Sequence, residues 1–108
     1  MDQEEIQNVA FTIILHSGNS RTLVHEGFGL MRNKKFDEAE EKLDEANNEL
    51  TAAHQSQTSL MQKYTSGEDV NMDIIMVHAQ DHLMTTVTLR EVALEMLQLY
   101  KSVNNESE

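Results

Sequence analysis

The sequence predicts an all-α protein, an antiparallel three-helix hairpin forming a single domain over residues 1–108. Three observations predict it. Proline is absent, glycine occurs four times, and Ala, Leu, Glu, Gln and seven Met favour helix. Apolar or small residues recur at alternating steps of three and four, the period of a helix packed against neighbours. Two short polar stretches interrupt that pattern, one at Asn33-Lys34-Lys35 and one from Gly67 to Asn71. Links that short return the next helix antiparallel.

The first helix is expected from about Asp2 to Arg32. Its core stripe reads Ile6, Ala10, Ile13, Ser17, Ser20, Val24, Gly27, Met31. The middle of that stripe is small, and Ser17-Gly18-Asn19-Ser20 is poor helix material. A kink, a close approach by a neighbouring helix, or merely a weakened turn accounts for it. His16 and His25 lie off the stripe and read as surface or boundary histidines. Asn33 tolerates the left-handed conformation that ends many helices.

The second helix is expected from about Phe36 to Ser66. Its stripe is the most regular in the chain: Phe36, Ala39, Leu43, Ala46, Leu50, Ala53, Gln57, Leu60, Tyr64. The acidic run around Asp37 and Glu38 suits a helix N-terminus and reads as a solvated face. His54, Gln57 and Thr58 bring polar groups to the seam, either to bond locally or to meet the third helix. Gly67 serves as the residue that ends the helix, and Asp69 or Asn71 as the cap of the next.

The third helix is expected to reach about Val103, a length of roughly 45–50 Å at ~1.5 Å per residue. It is apolar nearly all round, which predicts burial on more than one side. Its own hairpin covers one side, so the other calls for partner subunits. The tail from Asn104 to Glu108 is polar and expected to fray.

Composition narrows the function classes. Without cysteine there are no disulfides, thiolate catalysis or Cys-ligated metals. No apolar run approaches the ~18 residues of a membrane span, and the N-terminus MDQEEIQ is too acidic for a signal peptide. A cytoplasmic location is the expectation. The net charge of −11 argues against nucleic acid or anionic lipid and suits basic protein partners.

The stretch from Ile74 to Thr88, IIMVHAQDHLMTTVT, is the chemical centre of the chain. His78, Asp81 and His82 share one helical face with Thr85 one turn on, among apolar neighbours. Polar groups there need partners. Three readings follow from the spacing. An imidazole, a competent nucleophile near neutral pH, carries a covalent group such as phosphoryl. Alternatively His78, Asp81 and His82 bind a transition metal. Or they form a buried polar network that fixes the register of the bundle.

The segment VHAQDHLMT, Val77 to Thr85, resembles the signature around the phosphorylated histidine of the lactose/cellobiose-type enzyme IIA of the bacterial sugar phosphotransferase system. The likeness extends to Ile14-Leu15-His16-Ser17-Gly18-Asn19-Ser20-Arg21, to Phe36 with Ala39-Glu40, to Ala53-His54-Gln55-Ser56-Gln57-Thr58, and to Leu99-Tyr100-Lys101. Lys35 departs from it, standing where an acidic or small cap is more usual, and so does Tyr64-Thr65 before Gly67.

The resemblance implies a homotrimer, a nine-helix bundle. It implies that His78 accepts a phosphoryl group from the phosphocarrier HPr and passes it to a cysteine of enzyme IIB. IIB then phosphorylates the incoming sugar at the membrane permease IIC, a sugar of the lactose/cellobiose type such as a β-glucoside or diacetylchitobiose. By the same resemblance His82 supports the phosphoryl or orients the ring, and Gln80 flanks the site. Asp81 meets its copies on the threefold axis, where Mg²⁺ can sit; converging carboxylates otherwise repel strongly. The reading from a different class is a helical trimeric adaptor with no covalent chemistry.

Overall fold

A computed structural model describes residues 2–106. Three helices account for nearly all of it: α1 Gln3–Arg32, α2 Phe36–Thr65 and α3 Ile74–Glu106. There is no strand among the described residues. The helices pack as an up-down-up hairpin 59 Å long and about 20 Å across, with α1 parallel to α3.

Local chemistry sets the helix ends. The Asp2 carboxylate accepts from the Glu5 amide at 2.8 Å and caps α1. At the far end Lys35 N donates to Leu30 O at 2.9 Å and Lys34 N to Met31 O at 3.0 Å, a Schellman closure. The left-handed residue in it is Lys34, at φ 61°, and not the expected Asn33, at φ −93°. A side chain in that conformation costs roughly 1–2 kcal/mol. Lys35 provides no side-chain cap to α2, in line with its departure from the family pattern. Gly67, at φ 96°, closes α2 in the same manner, with Glu68 N donating to Lys63 O at 3.1 Å. The cap of α3 is Asp73, whose carboxylate accepts from Met76 N at 3.0 Å. It replaces the expected Asp69 or Asn71 because the helix begins later, at Ile74. At the other end α3 runs through Asn104 and Asn105 and does not fray there; Ser107 and Glu108 lie outside the described residues.

All eight residues of the α1 stripe are buried. Ser17 and Ser20 mark a close approach between helices: Ser20 Oγ donates to Ala46 O at 2.9 Å, and α1 continues through them. In α2 the stripe is buried from Ala39 to Leu60, while Phe36 and Gln57 are half-buried and Tyr64 is exposed. A seven-residue repeat drifts by ~20° per heptad on a straight helix, so the two ends of a long stripe swing off the seam.

The core consists of two apolar clusters. One holds Ile6, Ile13, Leu50, Leu60, Met76 and Leu83; the other holds Val24, Met31, Leu43, Ala93 and Leu97. Between them lies a polar layer of Ser17, Ser20 and Thr86, all fully buried. Arg90 joins it by donating from Nε to Leu43 O at 2.8 Å.

Helix α3 turns Met76, Ala79, Leu83, Thr86, Ala93 and Leu97 toward α1 and α2. Its opposite side carries Ile74, Val77, Met84, Val92, Leu99 and Val103, all exposed in the single chain. Ile74 is 81% exposed and Leu99 63%. Phe11 and Leu15 of α1 are exposed as well. Scattered single residues of this kind are ordinary, but a stripe along a whole helix is not.

Candidate active site

His78 and His82 stand one turn apart on α3, their rings stacked with centroids 6.1 Å apart and planes 13° from parallel. His78 is exposed, and His82 is half-buried against α1. That difference follows from the helix itself: four residues advance 40° past a full turn, toward the side that packs. Gly18 lies against His82: a methyl group placed there would stand in ordinary contact with His82 Nε2, at 3.8 Å. Behind the imidazoles the helix is braced by threonines. Thr86 Oγ1 donates to His82 O at 2.7 Å and Thr85 Oγ1 to Asp81 O at 2.8 Å.

The surroundings hold His82 below its ordinary pKa of 6.5. Burial is the main cause, the Arg21 guanidinium the next, and the neighbouring His78 a third; the Asp81 carboxylate opposes them. His82 is therefore a neutral ring at neutral pH, able to donate one hydrogen bond and accept another.

Asp81 is exposed and lies on the side of α3 that carries Val77, Met84 and Thr88. Among the described residues no three His, Asp or Glu side chains converge to hold a metal ion within one chain. The metal reading of His78, Asp81 and His82 as one ligand set thus finds no support in the geometry. Gln80 takes yet another direction, because two residues turn a helix by about 200°. Its Oε1 accepts from Gln57 Nε2 of α2, and its own Nε2 lies 3.6 Å from Met76 Sδ. Within one chain Gln80 does not stand beside His78.

Residues 8–101 match the family described as PTS system, lactose/cellobiose specific IIA subunit. The chain belongs to that family. It is 40% identical over 103 residues to the lichenan-specific phosphotransferase enzyme IIA component of Bacillus subtilis, covering 95% of this chain and 94% of the relative. The crystal structure of PtcA from S. mutans superposes with a TM-score of 0.92 at 63% identity, covering 94% of this chain and 99% of that one. The IIA(Chitobiose) chain of the Escherichia coli diacetylchitobiose branch, solved in solution as a complex with HPr, gives a TM-score of 0.78 at 26% identity, covering 96% and 99%.

Two residues of this IIA chain that lie near His82 had no role assigned from sequence: Gly18 and Arg21, both on α1. The signal was the small-residue run Ser17-Gly18-Asn19-Ser20 ending at Arg21, since small residues in a helix mark where another helix comes near. His54 and Thr58, for which meeting the histidine face was one of two readings, are exposed on α2, and Gln57 bonds to Gln80 of α3. His16 forms a half-buried pair with Glu49, Nδ1 to Oε2 2.6 Å, tying α1 to α2. His25 stands exposed in edge contact with Phe28. No helix of the described residues is long and apolar enough to cross a membrane.

Proposed function

We propose that the chain is a phosphoryl carrier of the sugar phosphotransferase system, with His78 as the acceptor. The observation that carries the reading is the stacked pair: an exposed imidazole backed by a half-buried one. The exposed ring can be approached in line by a donor, and the inner ring can hydrogen-bond the group that arrives. The donor is HPr, in keeping with the complex solved for the chitobiose relative. The lone pair of a His78 nitrogen attacks phosphorus as the bond to the donor's imidazole breaks. The electron pair of that bond returns to the donor nitrogen, so one N–P bond replaces another and no net proton moves. The same exchange, run against a cysteine thiolate of enzyme IIB, returns His78 to its neutral form. The sugar is of the lactose/cellobiose type, β-glucosides and diacetylchitobiose included, and IIC selects it. Work of this kind places the chain in the cytoplasm.

Assembly is part of the proposal. The exposed apolar side of α3, with Phe11 and Leu15 of α1, supports a homotrimer in which three copies cover one another. Asp81, set in that side, would meet its two copies on the axis. A lone carboxylate per chain is a poor metal site, but three converging carboxylates are hard oxygen donors suited to Mg²⁺. The ion would neutralise their charge and take no part in transfer. Gln80, tied to Gln57 within its own chain, flanks His78 only if a neighbouring copy brings it there.

Incubation with phosphoenolpyruvate, enzyme I and HPr, followed by mass spectrometry of the intact chain, tests the reading. One phosphoryl group added in the presence of HPr is expected. No addition in the complete mixture would leave a trimeric adaptor as the better account.

A further inference from the structure

Helix α1 brings a cation to the imidazoles. Gly18 lies against His82, and Arg21 follows three residues later on the same face of α1. Helical side chains lean toward the helix N-terminus, so Arg21 leans back to the level of Gly18 and His82. Arg21 is exposed and makes no ion pair or hydrogen bond among the described residues. The other cations are engaged or remote. Lys42 pairs with Glu26 at 3.0 Å, Lys101 with Glu40 at 3.4 Å, and Arg90 donates to a main-chain carbonyl. Arg32, Lys34 and Lys35 sit at the far end of α1, and Lys63 in the last turn of α2.

An unpaired guanidinium beside His82, one turn from His78, does nothing for the stability of the resting protein. It is paired with no carboxylate among the described residues. It becomes favourable once an anion occupies the space in front of them. We infer that Arg21 is the phosphoryl-binding residue of the site, its guanidinium donating to the phosphoryl oxygens while the group is carried on His78. This rests on the phosphoryl-carrier reading above. A guanidinium suits the task because its planar fork meets two oxygens at once, and because it remains charged throughout. In a chain of net charge −11 it also supplies the local positive potential that an incoming dianion otherwise lacks.

The test compares wild type, Arg21→Gln and Arg21→Lys for the initial rate of label uptake from phosphorylated HPr and for the lifetime of the adduct. His82 is titrated by NMR in each unphosphorylated protein. Arg21→Gln is expected to lose about 10- to 100-fold in rate, the effect of one charge-assisted hydrogen bond. Arg21→Lys recovers part of it, keeping the charge without the fork. The titration midpoint of His82 rises in Arg21→Gln, which shows that the guanidinium stood beside the ring and that the variant is folded. Arg21→Gln with wild-type rate and adduct lifetime overturns the inference while leaving the carrier function intact. Equal losses in both variants with the His82 midpoint unmoved overturn it too, because they place Arg21 away from the rings. Wild-type protein that takes no label from phosphorylated HPr overturns the carrier function, and the inference with it.

Discussion

The same substitution, glycine to alanine, should act with opposite sign at two places on α1. Both Gly18 and Gly27 are helix-interior positions, where alanine is worth about 0.5–1 kcal/mol. At Gly18 the new methyl meets His82 Nε2 at 3.8 Å, an ordinary contact, so that gain stands. At Gly27 it meets Leu43 Cδ2 at 3.3 Å and Ala39 O at 3.7 Å. Leu43 is fully buried among Val24, Met31, Ala46, Ala93 and Leu97 and has no room to swing aside. Overpacking of that kind costs about 1–3 kcal/mol, which outweighs the helical gain. Gly27→Ala is therefore expected to lose about 0.5–2 kcal/mol and Gly18→Ala to gain about 0.5–1. At about 4–8 °C per kcal/mol the two melting temperatures separate by several degrees. Thermal unfolding of the three proteins at one fixed concentration measures it, since oligomers melt according to concentration. A Gly27→Ala protein more stable than wild type would refute the tight seating of α1 on α2.

Two further outcomes concern the site. Asp81→Leu should still trimerise and should resist chelator better than wild type, because apolar replacements of buried charge are commonly neutral or stabilising by about 1–4 kcal/mol. Chelator that leaves wild-type stability unchanged, together with an Asp81→Leu that dissociates in sedimentation, would dispose of the axial-ion proposal. The pKa of His82 lies below 6.5 in the folded chain, so between that lowered value and about 6.5 the unfolded chain binds the extra proton. Stability should thus fall as pH drops through this window and be unaffected by His82 above it. Urea unfolding at pH values on both sides of 6.5 should show a flatter profile for His82→Gln than for wild type; equal slopes would contradict the shift.

The helices were legible because their signals are local. The α1 stripe from Ile6 to Met31 was read residue for residue, since its apolar and small members stand against a polar remainder. The phase of α3 was not legible in the same way. Its inward side includes Thr86 and Arg90, while Ile74, Val77, Val92 and Leu99 face out, so hydrophobicity alone does not choose between the two sides. Lys34 holds the left-handed position although Asn33 beside it is the better former, because closure back to Leu30 O and Met31 O fixes which residue turns. Asp69, Asn71 and Asp73 compete for one cap, and only the start of packing at Met76 selects Asp73. At the site, spacing placed His78 and His82 together but could not separate an exposed ring from a half-buried one. The part played by α1, through Gly18 and Arg21, depends on how helices distant in sequence lie side by side.

In the proposed function His78 carries the phosphoryl group and His82 assists it. Label incorporation from phosphorylated HPr into His78→Ala and His82→Ala, with wild type alongside, tests that most directly. The expected result is no label on His78→Ala. His82→Ala should still label, more slowly or with a less stable adduct, by the ~1–3 kcal/mol of a lost charge-assisted hydrogen bond. Full labelling of His78→Ala would contradict the account.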